Sequence, residues 1–322
     1  MKLLIVGAGV VGSIFGWALA GSENEVTHFV RPGRAARFAN GLTMDVLDRR
    51  AGHSRRSIVN YPIRVTETLP STEHFDLVIV PTRHYTLEQT LQQVVPLTRG
   101  ADYLLLTQNW QGTEQIDRLI DPAHYCFGDA KAGGSFIEDK LICTLKAIDI
   151  GSSTGKSNAG LQKWLALFQS AGIPAQLQDD MLHYLWVQYA YTTGPWPMLV
   201  RAGSFKKLYS DRKAIEPILT AIQECLHVVQ ARGVDLERFP SVKMYLHPSK
   251  LTALLAGFAL SWMFAHDEYR QRCSLHALAD PAEVRTFYFD LINTGHELHV
   301  PMPVMESYRS DMLAFTQPGS VW

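Results

Sequence analysis

The stretch Leu3-Leu4-Ile5-Val6-Gly7-Ala8-Gly9-Val10-Val11-Gly12 decides how the first part of this chain folds. An apolar run of strand character leads into three glycines with the spacing G-x-G-x-x-G, and an apolar helical segment follows. In such a loop the first glycine permits a tight turn, the second lets the backbone approach a pyrophosphate, and the third allows close packing of helix on strand. The diphosphate then meets unpaired amides at a helix N-terminus. We therefore expect a dinucleotide to contact the backbone at Gly7, Ala8, Gly9, Val10, Val11 and Gly12.

The remainder of the first half supplies the strand and helix context that this motif requires. Short β-rich runs alternate with helical segments, which is typical of a parallel sheet covered by helices. A pair of runs further on looks like an antiparallel addition, and an amphipathic helix follows it. We predict strands at 3–6, 25–30, 76–80 and 103–107, helices at 13–19, 87–95, 114–120 and 161–169, and the antiparallel pair at 135–145 and 147–151.

From residue 179 onward the pattern changes to long helical stretches, at roughly 179–193, 206–232, 250–270 and 281–298. A chain of 322 residues exceeds the usual size of one domain. The sequence therefore predicts an α/β fold class, with a Rossmann domain that binds a dinucleotide over residues 1–178. A mostly α-helical domain for substrate binding and dimerisation is expected over residues 179–322.

Composition narrows the class of partner. Lys and Arg number 30 against 31 for Asp and Glu, so no bulk charge favours nucleic acid or an anionic membrane. We expect a small-molecule substrate, a possible homodimer, and neither a membrane nor a nucleic-acid partner. The four cysteines lie far apart with no C-x-x-C pair, which suits reduced thiols in the cytoplasm. The segment His296-Glu297-Leu298-His299 lacks the spacing of a zinc site, so no metal is expected.

The end of the second predicted strand bears on the choice of cofactor. An acidic residue there would bond the ribose 2'-hydroxyl of NAD, but the segment 29–34 carries no carboxylate. It carries Arg31 and Arg34 instead, and a guanidinium group can hold a phosphate through a fork of charged hydrogen bonds. The sequence thus predicts NADPH, with Arg31 as the main ligand of the 2'-phosphate and Arg34 as a second. The alternative is that both are solvated surface arginines.

Together these features resemble the ketopantoate reductase family, and the likeness spans nearly the whole chain. It implies a Rossmann domain followed by a helical domain, and reduction of the ketone of a branched 2-oxo acid by hydride from NADPH. The residues that carry the resemblance are Gly7 to Gly12, Arg31, Asn40-Gly41-Leu42, Gln108-Asn109, Leu185-Trp186 and Val300-Pro301.

The resemblance also implies roles for single residues. Asn109 matches the family's asparagine beside the nicotinamide, although a turn asparagine is the alternative. Glu283 matches the family's active-site glutamate, yet Asp280-Pro281-Ala282-Glu283 is equally a good helix start. Ser261 lies next to the place of a substrate serine, where Trp262 aligns equally well.

Three positions depart from the family pattern. Gln188 stands where the family has its catalytic lysine, and Thr192 and Trp196 replace two substrate-binding asparagines. Spacings of four and eight would put the three side chains on one face of a helix, although Pro195 and Pro197 should end or kink it. We therefore expect a more apolar pocket than the family's.

Two further sites remain open. Thr82 and Arg83 follow the strand 76–80 at the edge where ligands of open α/β sheets bind, so both are candidate cofactor contacts. Lys131 lies in a glycine-rich stretch and is interpreted either as a solvated loop lysine or as a group near the substrate.

Because Gln188 cannot usefully give up a proton, we consider three functions. The first is a diverged carbonyl reductase whose proton comes from Tyr189, Tyr184, His183 or Lys131. The second is a reductase of an imine or activated double bond, and the third a non-catalytic NADPH sensor.

Overall fold

The structure is a computed structural model that describes residues 1–70, 73–153, 160–247 and 250–319. It divides into two compact units, Met1–His183 and Tyr184–Trp322, and the boundary falls five residues after the predicted one.

The first unit is built on one mixed sheet. Six of its strands are parallel neighbours in the order β5-β2-β1-β6-β7-β8, which is the strand order of a dinucleotide-binding fold. Beyond β8 the order continues β9-β3-β4, and β10 also pairs with β9. The described strands are β1 (Lys2–Val6), β2 (Glu25–Phe29), β3 (Leu42–Asp48), β4 (Arg55–Tyr61), β5 (Val65–Thr66), β6 (Leu77–Val80), β7 (Asp102–Leu105), β8 (Tyr125–Ile137), β9 (Lys140–Gly151) and β10 (Ala175–Leu177).

The central strands of this sheet are buried and apolar. The residues of β6 are all buried, and β1 and β7 are buried over most of their length, as expected for strands covered on both faces. Phe15 of the first helix meets Phe168 edge to face, with ring centroids 5.9 Å apart. The helices of this unit are α1 (Val10–Ala20), α2 (His84–Val94), α3 (Glu114–Asp117) and α4 (Leu161–Ser170), with 3-10 turns at Ala35–Phe38, Val95–Leu97 and Pro122–His124.

The antiparallel pair predicted at 135–145 and 147–151 was misplaced. The hairpin is formed by β8 and β9, and its turn lies at Glu138-Asp139, where Glu138 has a φ of 54°. The glycine-rich stretch 128–134 is therefore strand. Its glycines suit crowded positions, since a Cβ on Gly134 would lie 2.2 Å from the carbonyl oxygen of Ile142.

The second unit is helical, and two of its predicted helices are interrupted. The stretch 206–232 breaks at Asp211, and the stretch 250–270 breaks at Asp267; each aspartate caps the segment after it by accepting a backbone amide. The described helices are α5 (Met181–Thr193, whose last ten residues belong to this unit), α6 (Trp196–Ala202), α7 (Phe205–Ser210), α8 (Ile215–Ala231), α9 (Lys243–Leu246), α10 (Lys250–His266), α11 (Glu268–Cys273), α12 (Pro281–Glu297), α13 (Pro303–Glu306) and α14 (Arg309–Ala314), with 3-10 turns at Arg212–Ala214, Leu236–Arg238 and Pro240–Val242.

Within the described ranges, no helix combines the length and the apolar character that crossing a membrane requires.

Candidate functional site

The glycine loop joins β1 to α1 at the carboxyl edge of the sheet. Gly7 has a φ of 91°, which a residue with a side chain rarely adopts, and its amide donates to the carbonyl of Phe29 at 2.7 Å. A Cβ built on Gly9 would meet no atom within 4 Å, so this glycine is not needed for internal packing. A Cβ on Gly12 would lie 3.1 Å from Ile5 and from Pro81. The three glycines thus have the geometry of a turn, an open approach and a close helix contact.

Helix α1 begins without a cap. Gly9 is its N-cap and supplies no side-chain hydrogen bond, and its first turn holds no acidic residue. The amides of an uncapped helix start favour an anion, so Val10, Val11 and Gly12 present the donors expected for a diphosphate. Ala8 completes the loop.

Buried hydroxyl groups lie around the same edge. Ser13 is in the first turns of α1, Thr82 follows β6 and Thr107 follows β7; within the described ranges each hydroxyl is buried and makes no hydrogen bond. Buried hydroxyl groups usually have a hydrogen-bond partner in folded proteins, so these three can bond a ligand or a water. Their position at the carboxyl ends of parallel strands fits a bound dinucleotide. Arg83, the N-cap of α2, is exposed next to Thr82.

The loop after β2 carries the two arginines. Arg31 and Arg34 are exposed, and neither guanidinium group makes a hydrogen bond or ion pair among the described residues. The amide of Arg34 donates to the carbonyl of Arg31 at 3.1 Å, so both belong to one tight turn. Sequence reasoning missed Glu67, whose carboxylate accepts from the amide of Ala35 at 2.7 Å in this turn.

A buried histidine lies behind the glycine loop and was also missed. His28 on β2 is fully buried, with Nδ1 2.9 Å from the carbonyl oxygen of Gly7. Its Nε2 is 3.2 Å from the hydroxyl of Tyr61. Burial lowers the pKa of His28 from 6.5 to about 4, against the raising effect of the Gly7 contact. The only sequence signal was a histidine between the apolar residues Val26 and Phe29 of the strand.

Asn109 is buried in the loop after β7. Its side-chain amide donates to the carbonyl of Gly112, and its backbone amide donates to the carbonyl of Thr107 at 3.0 Å. These bonds fit the turn role that was the alternative for this residue. They also hold Asn109 at the carboxyl edge of the sheet, where the glycine loop lies.

A charged cluster follows directly. Gln108 donates from Nε2 to Asp129 at 3.2 Å, and the ammonium of Lys131 contacts Asp129 and lies 3.4 Å from Asp149. Asp129 and Asp149 are opposite each other in the β8–β9 pair, and both are buried. The interpretation of Lys131 as a solvated loop lysine is therefore wrong, because it lies on β8 and pairs with two buried carboxylates. Pairing of β7 with β8 ends at Phe127, so this cluster extends past the carboxyl end of β7.

In the second unit, the expectation that Gln188, Thr192 and Trp196 lie on one face of a single helix is wrong. Helix α5 ends at Thr193, and Trp196 begins α6 after Gly194-Pro195. Gln188 is half-buried and Thr192 is exposed. Trp196 is buried against Phe287, with ring centroids 5.0 Å apart.

The surroundings of Trp196 are those of a core. Phe287 stacks on Tyr189 with centroids 4.1 Å apart, and the hydroxyl of Tyr189 donates to Asp290 at 2.8 Å. Of the proton donors considered from sequence, Tyr189 is therefore engaged within the helical unit.

The two remaining candidates lie on separate helices. Ser261 on α10 donates its hydroxyl to the carbonyl of Tyr209 at 2.5 Å. Glu283 lies in the first turn of α12, where Asp280 accepts from the amides of Ala282 at 3.0 Å and Glu283 at 3.3 Å. The predicted helix start is thus present at Glu283.

Comparison with known proteins agrees with this architecture. Residues 3–133 match the family model described as ketopantoate reductase PanE/ApbA. The 2-dehydropantoate 2-reductase of Pyrococcus abyssi is 25% identical over 193 residues, which are 58% of this chain and 60% of that protein. An uncharacterized oxidoreductase, YkpB of Bacillus subtilis, is 34% identical over 142 residues, 44% of this chain and 43% of its own. The predicted resemblance to the family is confirmed.

Solved structures extend the likeness of fold to the helical unit. A D-mandelate dehydrogenase in a ternary structure with NADH and anilino(oxo)acetate has a TM-score of 0.74 at 17% identity, covering 98% of both chains. The 2-dehydropantoate 2-reductase of Geobacter metallireducens has a TM-score of 0.72 at 14% identity, covering 98% of this chain and 100% of that one. A ketopantoate reductase of Staphylococcus aureus, described as dimeric, has a TM-score of 0.67 at 14% identity, with 98% of each chain covered. At these identities the likeness concerns the fold alone.

Proposed function

Because its dinucleotide-binding region, residues 3–133, matches the ketopantoate reductase family, we propose that this protein is an NADPH-dependent oxidoreductase. It transfers hydride to the carbonyl of a small 2-oxo acid or related ketone. The observation that carries the proposal is the open glycine loop at the uncapped start of α1, with unsatisfied hydroxyls of Ser13, Thr82 and Thr107 around it. When bound, the nicotinamide supplies the hydride.

The preference for NADPH rests on charge. No carboxylate is part of the segment 29–34, and the guanidinium groups of Arg31 and Arg34 are exposed and unpaired within the described ranges. Guanidinium groups bind phosphate through paired, charge-assisted bonds, whereas a ribose hydroxyl gains little from them. We expect Arg31 to contribute most and Arg34 to add to it.

Reduction of a ketone also needs a proton donor for the developing alkoxide. We assign this role to Lys131, because its ammonium can give up a proton and lies past the carboxyl end of β7; Gln188 has no acidic proton near neutral pH, and the hydroxyl of Tyr189 donates to Asp290. Asp129 and Asp149 pair with the ammonium of Lys131, and Gln108, the neighbour of Asn109 in the chain, donates to Asp129. Lys131 would then perform, from a strand, the task that the family's lysine performs from a helix.

The other functions considered from the sequence differ in what they need. An iminium substrate already carries the positive charge and an activated double bond needs no lysine, so neither explains an ammonium held at the carboxyl edge by two buried aspartates. A sensor needs no proton donor at all. The cluster at Lys131 therefore favours carbonyl reduction.

The experiment is a titration of the purified protein with NADPH and NADH, followed by cofactor fluorescence. We expect NADPH to bind at least about tenfold more tightly, a difference of about 1.4 kcal/mol. Arg31→Ala should remove most of that difference, and Arg118→Ala, an exposed arginine after α3, should not. Equal affinities for the two cofactors would contradict the assignment. Consumption of NADPH with a panel of 2-oxo acids, aromatic ketones and imines then tests the reaction type.

We also propose self-association and a cytoplasmic location. Leu254, Leu255, Phe258 and Trp262 of α10 are each more than half exposed, and such a row on one helix is unusual on a monomer. The face carries no charge among these four side chains, so a second copy of the same face matches it by symmetry. Sedimentation should show a dimer for the unaltered protein and a monomer for Phe258→Glu. None of the four cysteines, all of them among the described residues, forms a disulfide, and reduced cysteines suit the reducing cytoplasm.

A further inference from the structure

Glu67 reaches the loop after β2 from a distant part of the sequence. It follows β5 directly, and β5 pairs in parallel with β2 through His28 with Val65 and Phe29 with Thr66. The pairing continues where the amide of Val30 donates to the carbonyl of Thr66 at 2.9 Å. Glu67 therefore lies beside the carboxyl end of β2, where the ribose of a dinucleotide is recognised.

The carboxylate of Glu67 binds backbone amides of this loop. Its Oε1 accepts from the amide of Ala35 at 2.7 Å. Hydrogen bonds from the amides of Ala35, Gly33 and Arg34 hold the pKa of Glu67 below its usual value. Gly33 has a φ of 77°, the left-handed conformation found in turns whose backbone amides bind an anion. Here the anion is supplied by the protein itself.

The two arginine side chains of the same loop, unlike its backbone amides, have no bonding partner within the described ranges. Arg31 and Arg34 have no ion pair within the described ranges, although other arginines of this unit are paired: Arg37 with Asp139, Arg50 with Asp48 and Arg64 with Glu25. The backbone of the loop is thus fixed by an internal carboxylate while its two guanidinium groups remain available. A loop fixed before binding loses less conformational freedom when a ligand arrives.

We propose that Glu67 is the positioning residue of the 2'-phosphate site. It accepts from the amide of Ala35 and fixes the turn, so that the phosphate is recognised by the side chains of Arg31 and Arg34 rather than by the backbone. The inference rests on the proposed preference for NADPH and assigns the residue that makes this preference possible.

The test compares Glu67→Ala and Glu67→Gln with the unaltered chain by fluorescence titration with NADPH and with NADH. In Glu67→Ala the loop loses its anchor, and we expect NADPH affinity to fall about tenfold, the size of one charge-assisted hydrogen bond. NADH affinity should stay within about twofold, since NADH lacks the phosphate. Glu67→Gln keeps an oxygen that can accept from Ala35, so it should recover part of the loss. Glu88→Ala, an exposed change on α2, is the matched control and should leave both affinities unchanged.

The outcomes separate this inference from the proposed function. An equal loss for both cofactors in Glu67→Ala would mean a merely structural role and would overturn the inference. Tighter NADPH binding would overturn it as well, because Glu67 would then repel the phosphate. If the unaltered chain prefers NADPH and Glu67→Ala keeps that preference, only this inference fails. If the unaltered chain shows no preference, the NADPH assignment fails and the inference falls with it. Melting temperatures of all variants report whether folding is intact.

Discussion

The Nδ1 atom of His28 lies 2.9 Å from the carbonyl oxygen of Gly7, so a fully buried imidazole is hydrogen-bonded to the turn of the glycine loop. A carbonyl can only accept, hence Nδ1 carries the proton and Nε2 accepts from the hydroxyl of Tyr61 at 3.2 Å. Gly16 of α1 faces the same ring, where a Cβ would lie 2.3 Å from Nε2. Cofactor loop, second strand and first helix therefore meet at one neutral histidine.

We predict that this histidine makes the fold sensitive to acid. The folded pKa is lowered from 6.5 to about 4, so between these values the unfolded chain binds a proton that the folded chain does not. The free energy of unfolding therefore falls as pH drops through this window, by up to ~3 kcal/mol from His28 alone. His28→Asn keeps an amide donor for Gly7 and does not titrate. Urea unfolding at pH 7 and pH 4.5 should show a smaller acid loss in His28→Asn than in the unaltered chain. The exposed control His53→Asn should behave as the unaltered chain does, and an undiminished loss in His28→Asn would contradict the prediction.

Two glycines of the same region should respond differently to alanine. Gly9 has open space and an extended conformation (φ −78°, ψ −174°), so Gly9→Ala should fold normally. It should weaken NADPH about tenfold or more, since the added methyl stands where the pyrophosphate approaches. Gly16→Ala must displace His28 and Tyr61, which lie 2.3 Å and 3.0 Å from its Cβ, and overpacking of this kind costs about 1–3 kcal/mol. Thermal melts and NADPH titrations of both variants separate the two effects. Unchanged NADPH affinity in Gly9→Ala would argue against a dinucleotide at this loop.

What the sequence could predict here follows from the range of each interaction. The strand, glycine loop and helix at residues 2–20 are neighbours in the chain, so local pattern was sufficient to identify them. Strands β3 and β4 were missed because Asp45 is buried on β3 with Arg56 as its partner, a pair that local propensity does not reveal. Glu67 and Ala35 are 32 residues apart and meet only through the β2–β5 pairing. The glycines around Lys131 suggested a loop, whereas they are needed because the sheet leaves no room for a side chain at positions such as Gly134.

Lys131 should be needed for turnover but not for cofactor binding. Lys131→Arg keeps the charge between Asp129 and Asp149 but holds its proton too firmly to donate it. Stopped-flow loss of NADPH absorbance with an active 2-oxo acid should be slower by roughly 100-fold to 10,000-fold, the range of general acid catalysis. NADPH affinity should be unchanged. Lys140→Arg is the matched control. Lys140 lies on β9 of the same hairpin, and its ammonium is 3.7 Å from the buried carboxylate of Asp45 on β3, away from β7. A rate within about threefold of the unaltered chain would remove Lys131 as the donor.

Trp196 should act on stability rather than on substrate choice. Its indole is buried against Phe287, which stacks on Tyr189, so the three rings form one aromatic core of the helical unit. Trp196→Ala leaves a large cavity there, and such truncations destabilise by about 3–5 kcal/mol. Thr192→Ala, an exposed position on the preceding helix, should change the free energy of unfolding by less than about 0.5 kcal/mol. Urea unfolding of both variants, together with relative turnover on branched, linear and aromatic 2-oxo acids, checks this assignment. A changed order of substrate preference in Trp196→Ala with stability preserved would place the indole in the substrate pocket and refute a core role.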